Sequence, residues 1–183
     1  MTIRRYALTC LLLLSVAATG PATSLAGVTA PPPVIRTTDQ GLHHIGVAGG
    51  QLTVVIGTYQ NTQVYKRSLS AYFQRNGESK LNLVPIVESE VDYTTEWFNL
   101  SRGETTLADA ALVSKGSSVN LIIVDRSPEK NVFTVKRYLF REAGNDYPDG
   151  PGMLFVPQSS KTLSSKKSDS VESVLKREIA SVR

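Results

Sequence analysis

The chain has 183 residues, 20 lysines and arginines against 16 aspartates and glutamates, and a formal charge of +4. Hydrophobic residues make up 41% and charged residues 20%, values of one ordinary globular domain that exclude a collagenous, disulfide-rich or largely disordered chain. No run reaches the roughly 18 consecutive apolar residues of a membrane helix, so a multi-span membrane protein is excluded.

Residues 1–26 read as a secretory signal peptide. Arg4 and Arg5 form the positive n-region, and residues 6–18, centred on Leu11, Leu12, Leu13 and Leu14, form the apolar h-region. Ser24-Leu25-Ala26 offers the small residues a signal peptidase reads, which places cleavage before Gly27. The h-region is too short for a stable anchor, and Gly20-Pro21 breaks any helix that would extend it. Cys10 sits inside the apolar run rather than just after it, so it does not match a lipoprotein signal. It is the only cysteine and leaves with the signal. The mature chain therefore offers no catalytic thiol, Cys-ligated zinc or iron–sulfur cluster, and it rests on its core rather than on disulfides. The expected location is periplasmic or secreted, with no membrane span after cleavage.

Loss of Arg4 and Arg5 leaves the mature chain at +2. Residues 157–183 carry Lys161, Lys166, Lys167, Lys176, Arg177 and Arg183 against Asp169, Glu172 and Glu178, so residues 27–156 are −1. The excess charge belongs to the tail. No aromatics interleave with those lysines, and no nucleic-acid partner is expected.

Residues 27–48, with Pro31-Pro32-Pro33, read as an extended Pro-rich leader. Short apolar runs then recur about every ten residues, the spacing of an antiparallel sandwich. Leu52, Val54 and Ile56 share one face of the first. Leu69, Ala71 and Phe73 oppose Ser68, Ser70 and Gln74 in the second, and Asn76-Gly77 follows as a hairpin turn. Pro85 inside residues 81–87 argues for an edge or a bulge. Val91, Tyr93, Thr95 and Trp97 alternate, with Trp97 expected as a core anchor. Residues 105–113 fit either a strand or one or two helical turns. Residues 119–124 are apolar on both faces and read as a central strand. Residues 132–141 set Phe133, Val135 and Leu139 opposite Thr134, Lys136, Tyr138 and Phe140. Residues 144–152 are a loop, 153–156 a last short strand, and the Ser/Lys-rich residues 157–167 a linker. Val171, Val174, Leu175, Ile179 and Val182 form one stripe of a helix over residues 168–183, with Asp169 and Glu172 at capping-box spacing. The expected fold is mainly β: a single antiparallel sandwich over residues 49–156, Ig-like or jelly-roll-like, with a C-terminal amphipathic helix.

No catalytic or metal constellation emerges, and no cofactor is expected. His43 and His44 are adjacent, so they point to opposite sides of an extended chain and make a poor zinc pair even with Asp39 nearby. No G-x-S-x-G elbow occurs. Glu88, Glu90 and Asp92 have the spacing of one strand face, not of carboxylates facing each other across a cleft, and read as a solvated face. Asn99-Leu100-Ser101 is a glycosylation tripeptide that matters only in a eukaryotic secretory pathway. The recognition candidates are the loop residues Asp146, Tyr147 and Asp149, and Tyr72 and Tyr138 on the polar sides of their strands. The chain therefore reads as an exported non-catalytic binding or accessory protein of the cell envelope, with an envelope protein or a small-molecule ligand as partner. The alternatives are sequestration of an antibiotic-like compound for self-protection, or weak hydrolysis at an unrecognised site. A pilin-type subunit needs an alternating donor segment that Pro31 to Pro33 interrupts.

Overall fold

The computed structural model describes residues 33–60, 65–89, 92–147, 152–166 and 168–182. The signal peptide, Pro31, Pro32, Glu90 and Asp149 lie outside the described residues. In chain order the strands are β1 (Val34–Arg36), β2 (Gly41–Val47), β3 (Gly50–Gln60), β4 (Tyr65–Arg75), β5 (Asn82–Leu83), β6 (Ile86–Val87), β7 (Tyr93–Thr94), β8 (Trp97–Phe98), β9 (Leu100–Arg102), β10 (Thr105–Lys115), β11 (Ser118–Ser127), β12 (Val132–Glu142) and β13 (Met153–Ser164). Helix α1 (Val171–Val182) follows, and a 3₁₀ turn, Gly144–Asp146, lies between β12 and β13.

Among the described residues, these strands form two sheets. Sheet A has the order β1-β10-β11-β12-β13-β6-β7, with β9 beside β10; sheet B has the order β2-β3-β4-β5, with β8 beside β4. Every pairing is antiparallel except β13 with β6. The long strands follow one another as meanders within each sheet, and the short segments cross between sheets. The expected mainly β sandwich with a C-terminal helix is what forms.

Two apolar layers hold it. Leu52, Val54 and Ile56 of β3 and Leu69, Ala71 and Phe73 of β4 face Leu112, Leu121, Ile123, Phe140 and Phe155 of sheet A. The other side of sheet A, with Ala111, Val113, Ile122, Val124, Phe133 and Val135, receives Val171, Val174, Leu175 and Ile179 of α1. Sheet A is thus covered on both faces, which is why residues 119–124 lack alternation. The helix docks on its own domain.

Several expectations need correction. The leader over residues 27–48 contributes β1 and β2, whose Ile35 and Ile45 are buried in the inter-sheet core. The linker over residues 157–167 is, up to Ser164, the continuation of β13 along β12. A backbone ladder holds that stretch, and its side chains stay mostly exposed, so no apolar pattern marks it. The run around Pro85 splits into β5 in sheet B and β6 in sheet A, and the proline carbonyl accepts from Phe155 N–H at 2.9 Å. Residues 93–98 split likewise into β7 and β8, leaving Trp97 half-buried against the core margin. Residues 105–113 are strand β10 rather than helix.

The helix cap lies one residue later than its acidic residues suggested. Ser170 and Ser173 form the reciprocal cap: Ser173 N–H donates to Ser170 Oγ at 3.1 Å and Ser170 N–H to Ser173 Oγ at 2.9 Å. Asp169 instead accepts from Arg177 Nη1 at 2.9 Å. In sheet B, Gly50 allows a close approach: a Cβ there would lie 2.1 Å from Gln74 O and 2.7 Å from the Phe73 ring. Backbone cannot yield to it cheaply, so Gly50→Ala is expected to cost about 2 kcal/mol, read as a lower urea midpoint at unchanged slope.

Candidate functional site

At one end of the sandwich the β2–β3 turn, the end of β4, the end of β12 and the start of β13 meet around a cleft between the sheets. It has two adjoining lobes of about 470 and 590 Å³ that share Phe73, Arg75 and Met153. Alternation explains the floor. Phe73 and Phe140 are inward positions of β4 and β12, so both rings lie at the inter-sheet core where the last rung of each strand leaves it uncovered. The rings are 5.8 Å apart and tilted, and Phe155 stacks behind Phe140 at 5.7 Å, offset geometry favoured by aromatic pairs. Met153, unbranched and flexible, fills the gap beside them. The rim is charged: Arg75 bridges to Glu142 across the sheets at 3.7 Å, and Glu78 and Lys80 line the second lobe. The lining contains no histidine.

A cleft of this size with an apolar floor and a few polar groups at its margin is the usual form of a small-molecule site. It offers apolar contact and charge, but no paired base and nucleophile for acyl transfer.

The structure does not bring the five recognition candidates together. Tyr72 is half-buried on the outer face of sheet B, opposite Thr53 on β3 and Leu83 on β5. Tyr138 lies on the side it shares with Phe140, opposite Phe133 and Val135, as its position predicted, but there that side is covered. It is 5% exposed, because the inter-sheet core takes in that face at Tyr138 and Phe140, while Lys136 on the same face stays exposed. Asp146 ends the 3₁₀ turn. Tyr147 packs with Val87, Ala143, Leu154 and Val156, so it serves a small core rather than an open surface. Asp149 lies outside the described residues, but the far end of its loop, Gly152, lines the cleft. Glu88 and Asp92 sit in the turn joining β6 to β7, where Glu88 N–H donates to Asp92 O at 2.9 Å, rather than along one strand face. His43 and His44 diverge: His43 Nε2 lies 2.5 Å from Asp39 O, and His44 Nδ1 lies 3.1 Å from Thr53 Oγ1. Among the described residues no group of three or more His, Cys, Asp and Glu is placed to hold a metal ion, and no helix is long and apolar enough to cross a membrane.

Sequence reasoning missed Phe73, Phe140 and Met153 as site residues. Their apolar type at inward positions carries the signal of a core, and only the end of the sandwich distinguishes them.

No family model matches the chain, and no curated protein is similar enough to match it. A solved structure described as "Crystal structure of CarG" is similar, with a TM-score of 0.61 and 15% identity over 74% of this chain and 89% of that chain. At that identity the likeness is one of fold alone.

Proposed function

We propose that the chain is an exported, non-catalytic binding protein of the cell envelope that takes an amphipathic small molecule into the cleft at the end of its sandwich. The observation that carries this reading is the floor of Phe73, Phe140 and Met153 beneath the charged rim of Arg75 and Lys80. An aromatic anion satisfies both at once, its rings on the floor and its charge at the rim. If the ligand is toxic, the same binding is sequestration. Weak hydrolysis has less support, since no imidazole lines the cleft.

The dye 8-anilinonaphthalene-1-sulfonate has this chemistry and reports binding by its fluorescence. It is expected to bind the folded protein saturably at one site. Met153→Trp fills the cleft from its shared residue and is expected to weaken that binding at least tenfold while the melting temperature stays close to the parent's. Absence of saturable binding overturns the cleft reading.

Dye binding unchanged by Met153→Trp moves the proposal to the outer face of sheet B, which supports its protein–protein form. There Leu42, Tyr72, Leu83 and Phe98 lie among serines and threonines, and Lys66 is the one outward lysine or arginine of β2, β3 and β4. Depletion of charge marks the centre of an interface, and an envelope protein with an apolar patch fits it.

A further inference from the structure

A separate cavity of about 360 Å³ opens at the edge of sheet A and shares no lining residue with the end cleft. β13 pairs with β12 along its whole length, but with β6 only at Phe155. Beyond Val156, therefore, no described strand covers its second edge. At the same place the register slips: Arg137 lies opposite Ser159 and Tyr138 opposite Pro157, which leaves Gln158 as the extra residue of a bulge. Bulges bend a strand and re-aim its side chains, and they recur beside functional sites. Tyr138, Glu88, Lys136, Gln158, Ser159 and Ser160 line the resulting notch.

Tyr138 is the unexplained group. Its ring is buried in the inter-sheet core at 5% exposure, yet among the described residues its hydroxyl has no hydrogen-bond partner. Nor is that oxygen sealed, since the described side-chain atoms both sealed and unpartnered are Arg67 Nε and Arg126 Nε. A buried phenol ordinarily finds a partner. Here the partner must come from the cavity. Burial, with Glu88 and Asp125 nearby, pushes the phenol up to about 12, so it remains a donor at any physiological pH.

The charges around it are mostly spent. Arg137 donates to Glu178 and Ser181, each at 2.5 Å, and Lys136 stands 3.9 Å from Asp125. One oxygen of Glu88 accepts from Thr94 Oγ1 at 2.5 Å, leaving the other. What faces the cavity without a hydrogen bond is a phenol, a carboxylate oxygen, an amide, two serine hydroxyls and the Lys136 ammonium, whose only charge partner among the described residues, Asp125, stands at ion-pair distance. An apolar ligand would strand these groups, and an anion would meet Glu88. Alternating donors and acceptors suit a ring bearing several hydroxyls, and the volume, roughly a dozen waters' worth, has room for one hexose ring together with some of its water.

We propose that this notch binds a polyhydroxylated ligand, one sugar unit of a saccharide, through Tyr138, Glu88 and the bulged Gln158. The test titrates the full mature chain with glucose, glucosamine and N-acetylglucosamine, followed by saturation-transfer NMR and calorimetry. At least one of the three is expected to bind saturably at millimolar concentration. Tyr138→Phe keeps the ring in the core and removes only the hydroxyl, so it is expected to weaken that sugar about tenfold without lowering the melting temperature. Glu88→Gln, at an exposed turn, is expected to weaken it comparably. Failure of all three sugars to bind overturns the proposal, as does binding that either substitution leaves unchanged. Met153→Trp leaves sugar binding intact if the two cavities are independent.

Discussion

Phe155→Ala is expected to lower the stability of the folded chain by about 4 kcal/mol, and so the melting temperature by roughly 10 °C or more. Phe155 is fully buried, in the middle of the core between the sheets. Its ring supports Phe140 at 5.7 Å, and Phe140 in turn meets Phe73 of the other sheet at 5.8 Å. The three rings form a row from β13 through β12 to β4, so truncation removes both the buried area of one ring and the backing of the other two. Backbone on either side cannot close the gap. Phe155 N–H is tied to Pro85 O and its strand to β12, and a void that cannot collapse costs more than the lost transfer energy. Calorimetric and urea unfolding of the variant measure the effect, and a loss below about 1 kcal/mol would contradict the packing described. The same variant is expected to loosen dye binding in the end cleft, because the floor there rests on this row.

Glu178→Ala is the second large effect, about 3 kcal/mol. Glu178 lies on α1, facing sheet A, with its side chain 8% exposed. It accepts from Arg137 Nη2 of β12 at 2.5 Å and lies 2.8 Å from Lys161 Nζ of β13. This is the polar clamp that fixes the helix over its apolar contacts. Removing the carboxylate leaves two cations facing each other beside a buried surface, and that penalty outweighs the modest worth of the intact pair. Loss of protection in α1 by hydrogen exchange, together with a lower melting temperature, reads it out.

The same residue fixes a pH dependence. Burial pushes its carboxyl up, but hydrogen bonds from Lys161 and Arg137 and their charges outweigh burial, so the folded-state value lies below the ordinary 4.5. A depressed carboxyl contributes stability that is fully present above the unfolded value and is lost as pH falls through the folded one. The acid limb of a melting-temperature profile below about pH 4.5 is therefore expected to be shallower in Glu178→Gln than in the parent.

Much of the architecture is legible in local patterns. Alternation in residues 51–57 and 67–75 gives the inward face of sheet B, because a strand has only two sides and apolar residues at period two must share one. The apolar run at 119–124 gives the central strand of sheet A, and the spacing of Val171, Val174, Leu175 and Ile179 gives the helix and the face it buries. Each of these is decided by a periodicity within a few residues, so no distant contact is needed to read it.

What surrounds a face is a different matter. Tyr138 has the parity assigned to it, but whether that side meets water or sheet B depends on strands eighty residues away. Residues 157–164 are held mainly by their backbone ladder, with Lys161 and Leu163 as their side-chain contacts to the helix and the core beneath it, and β1 and β2 are short strands whose partners lie in different sheets, so their side chains carry too little pattern to reveal them. The end cleft and the notch at Gln158 exist only where strands from separate parts of the chain stop covering one another. Which residues share a side of a strand or helix follows from bond geometry and is written locally in the chain. Which sides are covered, and where the cover ends, follows from long-range packing and emerges only in the folded molecule.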